Sequence, residues 1–161
     1  MVADPAARPT ASPLLALLRG AATVGVIDFL YATTFVVLKG RPWYRPWQGV
    51  ASAVLGPASY DGGMRSAALG VCLHFCVATC IVAVYLIAAR GLPVLRRRTL
   101  LAGVPFGVVA FFVMNLAVVP LTRIGFHPLQ WNPFNVGGLL VHALLIGPAA
   151  AFFAGRAWRD A

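Results

Sequence analysis

Five side chains place reactive or strongly polar groups inside stretches that are otherwise apolar: Asp28, Tyr31, His74, Asn115 and His142. A carboxylate and two imidazoles can hold or pass protons, and an amide and a phenol can hydrogen-bond a small solute. The same groups can also tie helices to one another, which is the plainer reading of any polar residue in an apolar helix. Three thiols compete for attention in "LGVCLHFCVATC", residues 69–80, where Cys72, Cys76 and Cys80 accompany His74. At about 100° per residue, His74 points roughly 160–200° away from Cys72 and Cys76 on a helix. One helix therefore cannot gather that imidazole and those thiols around a metal. The chain holds no further cysteine and no CxxC pair. The thiols read as small, polarizable packing groups in a helix seam, and no metal site is expected.

These residues must be positioned by membrane-spanning helices. Of 161 residues, 60% are hydrophobic and 11% charged, against roughly a quarter charged in a soluble domain. A fold of this size cannot hide so much apolar surface from water, so its solvent is lipid. Crossing a hydrocarbon core of about 30 Å takes roughly 20 apolar residues of helix. Four stretches qualify, at residues 14–38, 67–89, 99–121 and 136–157. The fold class read here is all-α, an integral membrane four-helix bundle in one domain over 13–161, preceded by a disordered tail over 1–12. The first span reads as retained rather than as a cleaved leader, because its apolar run is too long and encloses Asp28. Between spans one and two, "QGVASAVLGPAS" is too short to cross and reads as an interfacial or re-entrant helix. Trp43, Tyr44, Trp47, Trp131 and Phe134 beside loop arginines read as interfacial anchors. Pro105, Pro120 and Pro148 fall within spans, where kinks are expected.

The net charge of +9 comes from 13 Lys and Arg against four Asp. Most of these cations flank the spans, which points to anionic lipid headgroups as the partner and not to nucleic acid. With the N-terminus inside, Arg8, Arg19, Arg90, Arg96, Arg97, Arg98, Arg156 and Arg159 lie on the cytoplasmic side. Lys39, Arg41, Arg45, Arg65 and Arg123 lie outside. The positive-inside rule then favours cytoplasmic N- and C-termini. Ala, Gly and Arg enrichment with a single Lys points to a bacterial source and hence to the bacterial inner membrane.

On this topology the buried polar residues share one level. At about 1.5 Å rise per residue, Asp28, His74, Asn115 and His142 lie about 9–15 Å below the outer ends of their helices. Gly70, His74 and Ala78 form one stripe, Gly138 precedes His142 by one turn, and Gly25 and Ala32 flank Asp28 with Tyr31 beside it. Small neighbours let another helix approach, so the polar groups can meet in a pocket in the outer half of the bundle.

"IDFLYA" (27–32), "QGVASAVLGPASYDGG" (48–63), "AALGVCLHF" (67–75), "AVYLIAAR" (83–90) and "MNLAVVPL" (114–121) occur in that order. This ordered set resembles a family of small four-span bacterial inner-membrane proteins, a domain of unknown function, over most of residues 20–150. The resemblance implies membrane location and places Asp28, His74, Asn115 and His142 within recurring motifs, but it brings no activity. Where the family pattern implies tyrosines in span three, this chain has Phe106 and Phe111.

Three kinds of function fit these observations. The first is a non-enzymatic pocket that binds a small solute or relays protons. The second is a structural subunit of a larger membrane complex, or a homo-oligomer. The third is a haem electron-transfer protein using His74 and His142 as axial ligands, although no cofactor is expected on the remaining pattern. An enzyme is not expected: paired-carboxylate, HExxH and nucleophile-elbow motifs are missing from the sequence.

Overall fold

A computed structural model describes residues 12–158. The tail expected over 1–12, Ser12 apart, lies outside the described residues, as do Arg8 and Arg159 of the charge count. The protein is all-α, and four of its helical runs are long and apolar enough to cross a membrane: Pro13–Leu38, Gly63–Gly91, Thr99–Leu121 and Pro133–Ala157. The second and fourth begin four and three residues earlier than the apolar pattern implied.

Helix α1 (Pro13–Leu38) starts where the Ser12 hydroxyl accepts the Leu15 N–H at 3.2 Å and Pro13 occupies the first turn. A proline there loses no hydrogen bond, because the first N–H groups of a helix have no partner within it. Helix α2 (Arg45–Leu55) is followed by a 3-10 turn over Gly56–Tyr60, and α3 (Gly63–Gly91) returns across the bundle. The arginine-rich turn forms a short α4 (Pro93–Arg97) before α5 (Thr99–Val113). α5 continues through a π-helical turn, Met114–Val118, and a 3-10 turn, Val119–Leu121. The last span is α6 (Pro133–Val141), a second π-helical turn, His142–Ile146, and α7 (Gly147–Trp158).

Packing is inverted relative to a water-soluble bundle. The buried centre is built from Ala16, Ala78, Ala89, Ala150, Ala151 and Ala154 around Val24, Val82, Tyr85 and Ile146. The large aliphatics Leu30, Ile87, Leu100 and Leu121 point outward. Lipid offers Leu as good a solvent as the core does, so helices gain most by letting small residues bring backbones together. α7 packs against α1, α3 and α5. Gly103 and Gly107, one turn apart on α5, carry its close crossing with the last span. A Cβ at Gly103 would lie 2.7 Å from the Pro148 Cα, and one at Gly107 would collide with the His142 carbonyl. α3 and α5 scarcely touch, and Tyr85 bridges them by meeting Phe106 edge-on at 4.8 Å.

Two expectations are corrected here. Cys72, Cys76 and Cys80 are exposed on the outer side of α3, while the seam is made by Gly70, His74, Ala78 and Val82 on its other face. The thiols therefore face lipid. Trp47 is not an interfacial anchor, because it is 1% exposed and stacks on Phe29 at 4.3 Å between ring centroids. α2 is pressed along α3 instead of standing apart from the bundle, and burial of an aromatic ring between helices outweighs its placement at the headgroups. Trp43 and Trp131 remain exposed, as anchors require.

Candidate functional site

Between α1, α3, α5 and α6 lies a cavity of about 270 Å³, at the small end of the roughly 300–1,000 Å³ typical of ligand pockets. Asp28, Tyr31, His74, Asn115 and His142 all line it, so every span contributes at least one of the five. Phe111, Met114, Phe134 and Asn135 complete much of the wall. It occupies the half of the bundle nearer the α1–α2 and α5–α6 connections. The α5–α6 connection is tied to α2 where the Arg123 N–H donates to the Ala53 carbonyl at 3.0 Å.

His74 is held from three sides. Its Nε2 lies 2.9 Å from the Gly25 carbonyl, its ring sits 5.0 Å from that of Trp47, and Phe75 meets it edge-on at 5.3 Å. α2 reaches this position because Gly70 leaves room for the Trp47 carbonyl, and because buried Gln48 anchors its start. Gln48 accepts from Arg45 at 3.0 Å and donates to the Gly63 carbonyl at 3.1 Å. A carbonyl only accepts, so the Gly25 contact places the hydrogen of a neutral His74 on Nε2. The other nitrogen, Nδ1, faces the Asp28 carboxylate at 3.7 Å. That separation is too long for a direct hydrogen bond. Two acceptors thus face one another across a gap in which a proton or a donor would be shared.

The opposite wall repeats one device twice. Pro120 and Pro148 lack an N–H, and a proline ring crowds the carbonyl four residues back. In each case the helix widens before the proline, and the preceding residue bonds five residues back. Val119 donates to Met114, and Gly147 donates to His142. Each widened turn carries a polar cavity residue, Asn115 in the first and His142 in the second. Their side chains bond back to their own helices, the Asn115 amide to the Phe111 carbonyl at 2.9 Å and His142 Nδ1 to the Gly138 carbonyl at 2.9 Å. A neutral His142 therefore carries its hydrogen on Nδ1 and leaves the Nε2 lone pair free. Tyr31 donates to the Phe134 carbonyl at 2.6 Å, with their rings stacked at 5.6 Å.

The donor ledger is one-sided. Tyr31 O–H, His74 Nε2–H, His142 Nδ1–H and one N–H each of Asn115 and Asn135 go to backbone carbonyls. The wall keeps the carboxylate, two imidazole lone pairs, two amide oxygens and a phenol oxygen as acceptors, with one spare N–H on each asparagine. No Lys or Arg lines the cavity among the described residues. His74 Nε2 is committed to the Gly25 carbonyl, so a haem iron could reach His74 only at Nδ1, beside Asp28, or by displacing Gly25.

Sequence reasoning took Phe134 for an interfacial anchor and left Asn135 in the loop before span four, whereas both line the cavity. The available signal was the Asn132–Pro133 helix start, where the Asn132 side chain accepts the Asn135 N–H at 2.9 Å. It also missed the shared spacing of "MNLAVVP" and "HALLIGP", each with proline six residues after the widened turn begins. Searches of protein-family models, of curated proteins and of solved structures return no match to this chain.

Proposed function

We propose that this protein is a non-enzymatic membrane protein whose intramembrane cavity binds a small solute or relays protons. It would sit in the bacterial cytoplasmic membrane with both termini inside, as a member of the small four-span family that its motifs resemble. The observation that carries the reading is the convergence of Asp28, Tyr31, His74, Asn115 and His142 from four spans onto one cavity. Ionisable groups inside a span cost roughly 2.5–3.5 kcal/mol each on insertion scales, a cost that a purely apolar seam would avoid. A single carboxylate, with no serine or cysteine on the wall among the described residues, supports holding a ligand over breaking its bonds. The excess of arginine on the α4 side supports the orientation.

Native mass spectrometry of the full chain, released gently from its own membrane, tests the solute reading. Wild type should carry an added mass that Asp28→Asn lacks, with equal helical content in both. Proton relay is read by a pH dye trapped in proteoliposomes under an imposed gradient, which should collapse faster with wild type than with Asp28→Asn. Negative results in both assays, or failure of Asp28→Asn to accumulate in the membrane, would make the five side chains structural.

A further inference from the structure

Taking the cavity to be a binding place, we infer that its ligand is a small protonated amine with an apolar body. The inference comes from what the wall lacks. Five of the seven side-chain N–H and O–H donors on the wall are turned onto backbone carbonyls, so a ligand meets mostly acceptors: the Asp28 carboxylate, His74 Nδ1, His142 Nε2 and the amide oxygens of Asn115 and Asn135. A ligand that is itself rich in acceptors, such as a carboxylate, phosphate or sugar, would find two spare amide N–H groups and a negative charge. An ammonium group brings up to three donors and a positive charge.

The Asp28–His74 gap fits this group. With Oδ2 and Nδ1 3.7 Å apart, an ammonium nitrogen can lie to one side of the line between them at ordinary hydrogen-bond distance from both. A neutral His74 accepts there, since Gly25 takes the hydrogen of its other nitrogen. Tyr31, Phe111 and Phe134 supply aromatic rings to the wall, groups that attract a cation. The rest of the wall, Val24, Val77, Ile81 and Met114 among it, suits a hydrocarbon body and not a hydrated metal ion. A divalent cation would call for more oxygen ligands and more carboxylate than one aspartate supplies.

The test uses the full chain in phosphatidylcholine nanodiscs, with empty discs subtracting partition into lipid. Four probes share one ring: benzylammonium, benzyltrimethylammonium, benzyl alcohol and benzoate. Calorimetry should show benzylammonium binding at least about tenfold tighter than benzyl alcohol, and benzoate failing to bind. Methylation removes the donors and keeps the charge, so the trimethyl probe should also lose about tenfold. Asp28→Asn should weaken benzylammonium about 10- to 150-fold, the range of a hydrogen bond to a charged group.

Equal affinity for benzylammonium and benzyl alcohol, or preference for benzoate, would overturn the amine inference and leave a binding cavity standing. Equal affinity for the two cations would overturn recognition by acceptors. If no probe binds while a native added mass is present, the amine inference falls alone; if that mass is missing too, solute binding falls with it and proton relay is left to the dye assay. Should Asp28→Asn fail to accumulate, the order of the four probes on wild type decides.

Discussion

Replacing Gly70 by alanine should unseat α2 from α3 and with it the support behind His74. An ideal Cβ at position 70 lies 2.6 Å from the Trp47 carbonyl carbon and 3.2 Å from the Ala51 nitrogen, and it overlaps the Trp47 carbonyl oxygen. All three are backbone atoms, so no side-chain rotation relieves them. Ordinary contact begins at 3.4 Å, so the carbonyl carbon alone requires the two helices to part by about 0.8 Å, and the overlapped oxygen requires more. A gap of 0.5–1 Å forfeits a quarter to a half of each dispersion contact across it. That loss falls on the contacts across this seam, the Trp47–His74 contact at 5.0 Å among them. Overpacking of this kind costs about 1–3 kcal/mol, and with backbone as the obstacle about 2–3 kcal/mol is expected. The assay is reversible SDS unfolding in mixed micelles followed by helical circular dichroism, with hydrogen exchange at residues 48–52 as a local readout. Gly91→Ala is the control on the same helix, since nothing lies within 4 Å of a Cβ there and no stability should be lost. A Gly70→Ala protein within 0.5 kcal/mol of wild type, with unchanged exchange over 48–52, would refute the close α2–α3 seating.

Two further outcomes follow from the same structure. Tyr31→Phe removes the 2.6 Å hydrogen bond to the Phe134 carbonyl and should cost about 1 kcal/mol in the same unfolding assay. An unchanged midpoint would mean that the hydroxyl is not committed to α6. Cys76→Leu places a larger aliphatic on the lipid-facing side of α3 and should stay within about 0.5 kcal/mol of wild type. A loss above about 1.5 kcal/mol would return the thiols to a buried seam.

How far the sequence could be read depended on what kind of signal each residue left. The four spans are legible because hydropathy and length alone decide whether a helix can cross lipid. The inward stripe Gly70–His74–Ala78 is legible because helical period fixes relative facing within one element. Facing against a neighbour is not so fixed. The small stripe Cys72–Cys76–Cys80 has the same period as the glycine–alanine stripe, and only the packing of α1, α2 and α7 against α3 decides which of them is buried. Trp47 shows the same limit, since its ring is as apt for the headgroups as for a slot between helices.

By itself the sequence determined that this chain lives in lipid as four helices, and that each helix brings a polar group to a similar depth. Composition and the 3.6-residue period are local quantities, so no fold was needed to read them. The tertiary structure alone decided that those groups share one cavity, that two prolines widen the helices beneath Asn115 and His142, and which hydrogen-bond donors are already taken. Those facts depend on where carbonyls such as those of Gly25 and Phe134 lie in space. Every residue has such a carbonyl, so nothing in the sequence distinguishes these two until the helices are packed.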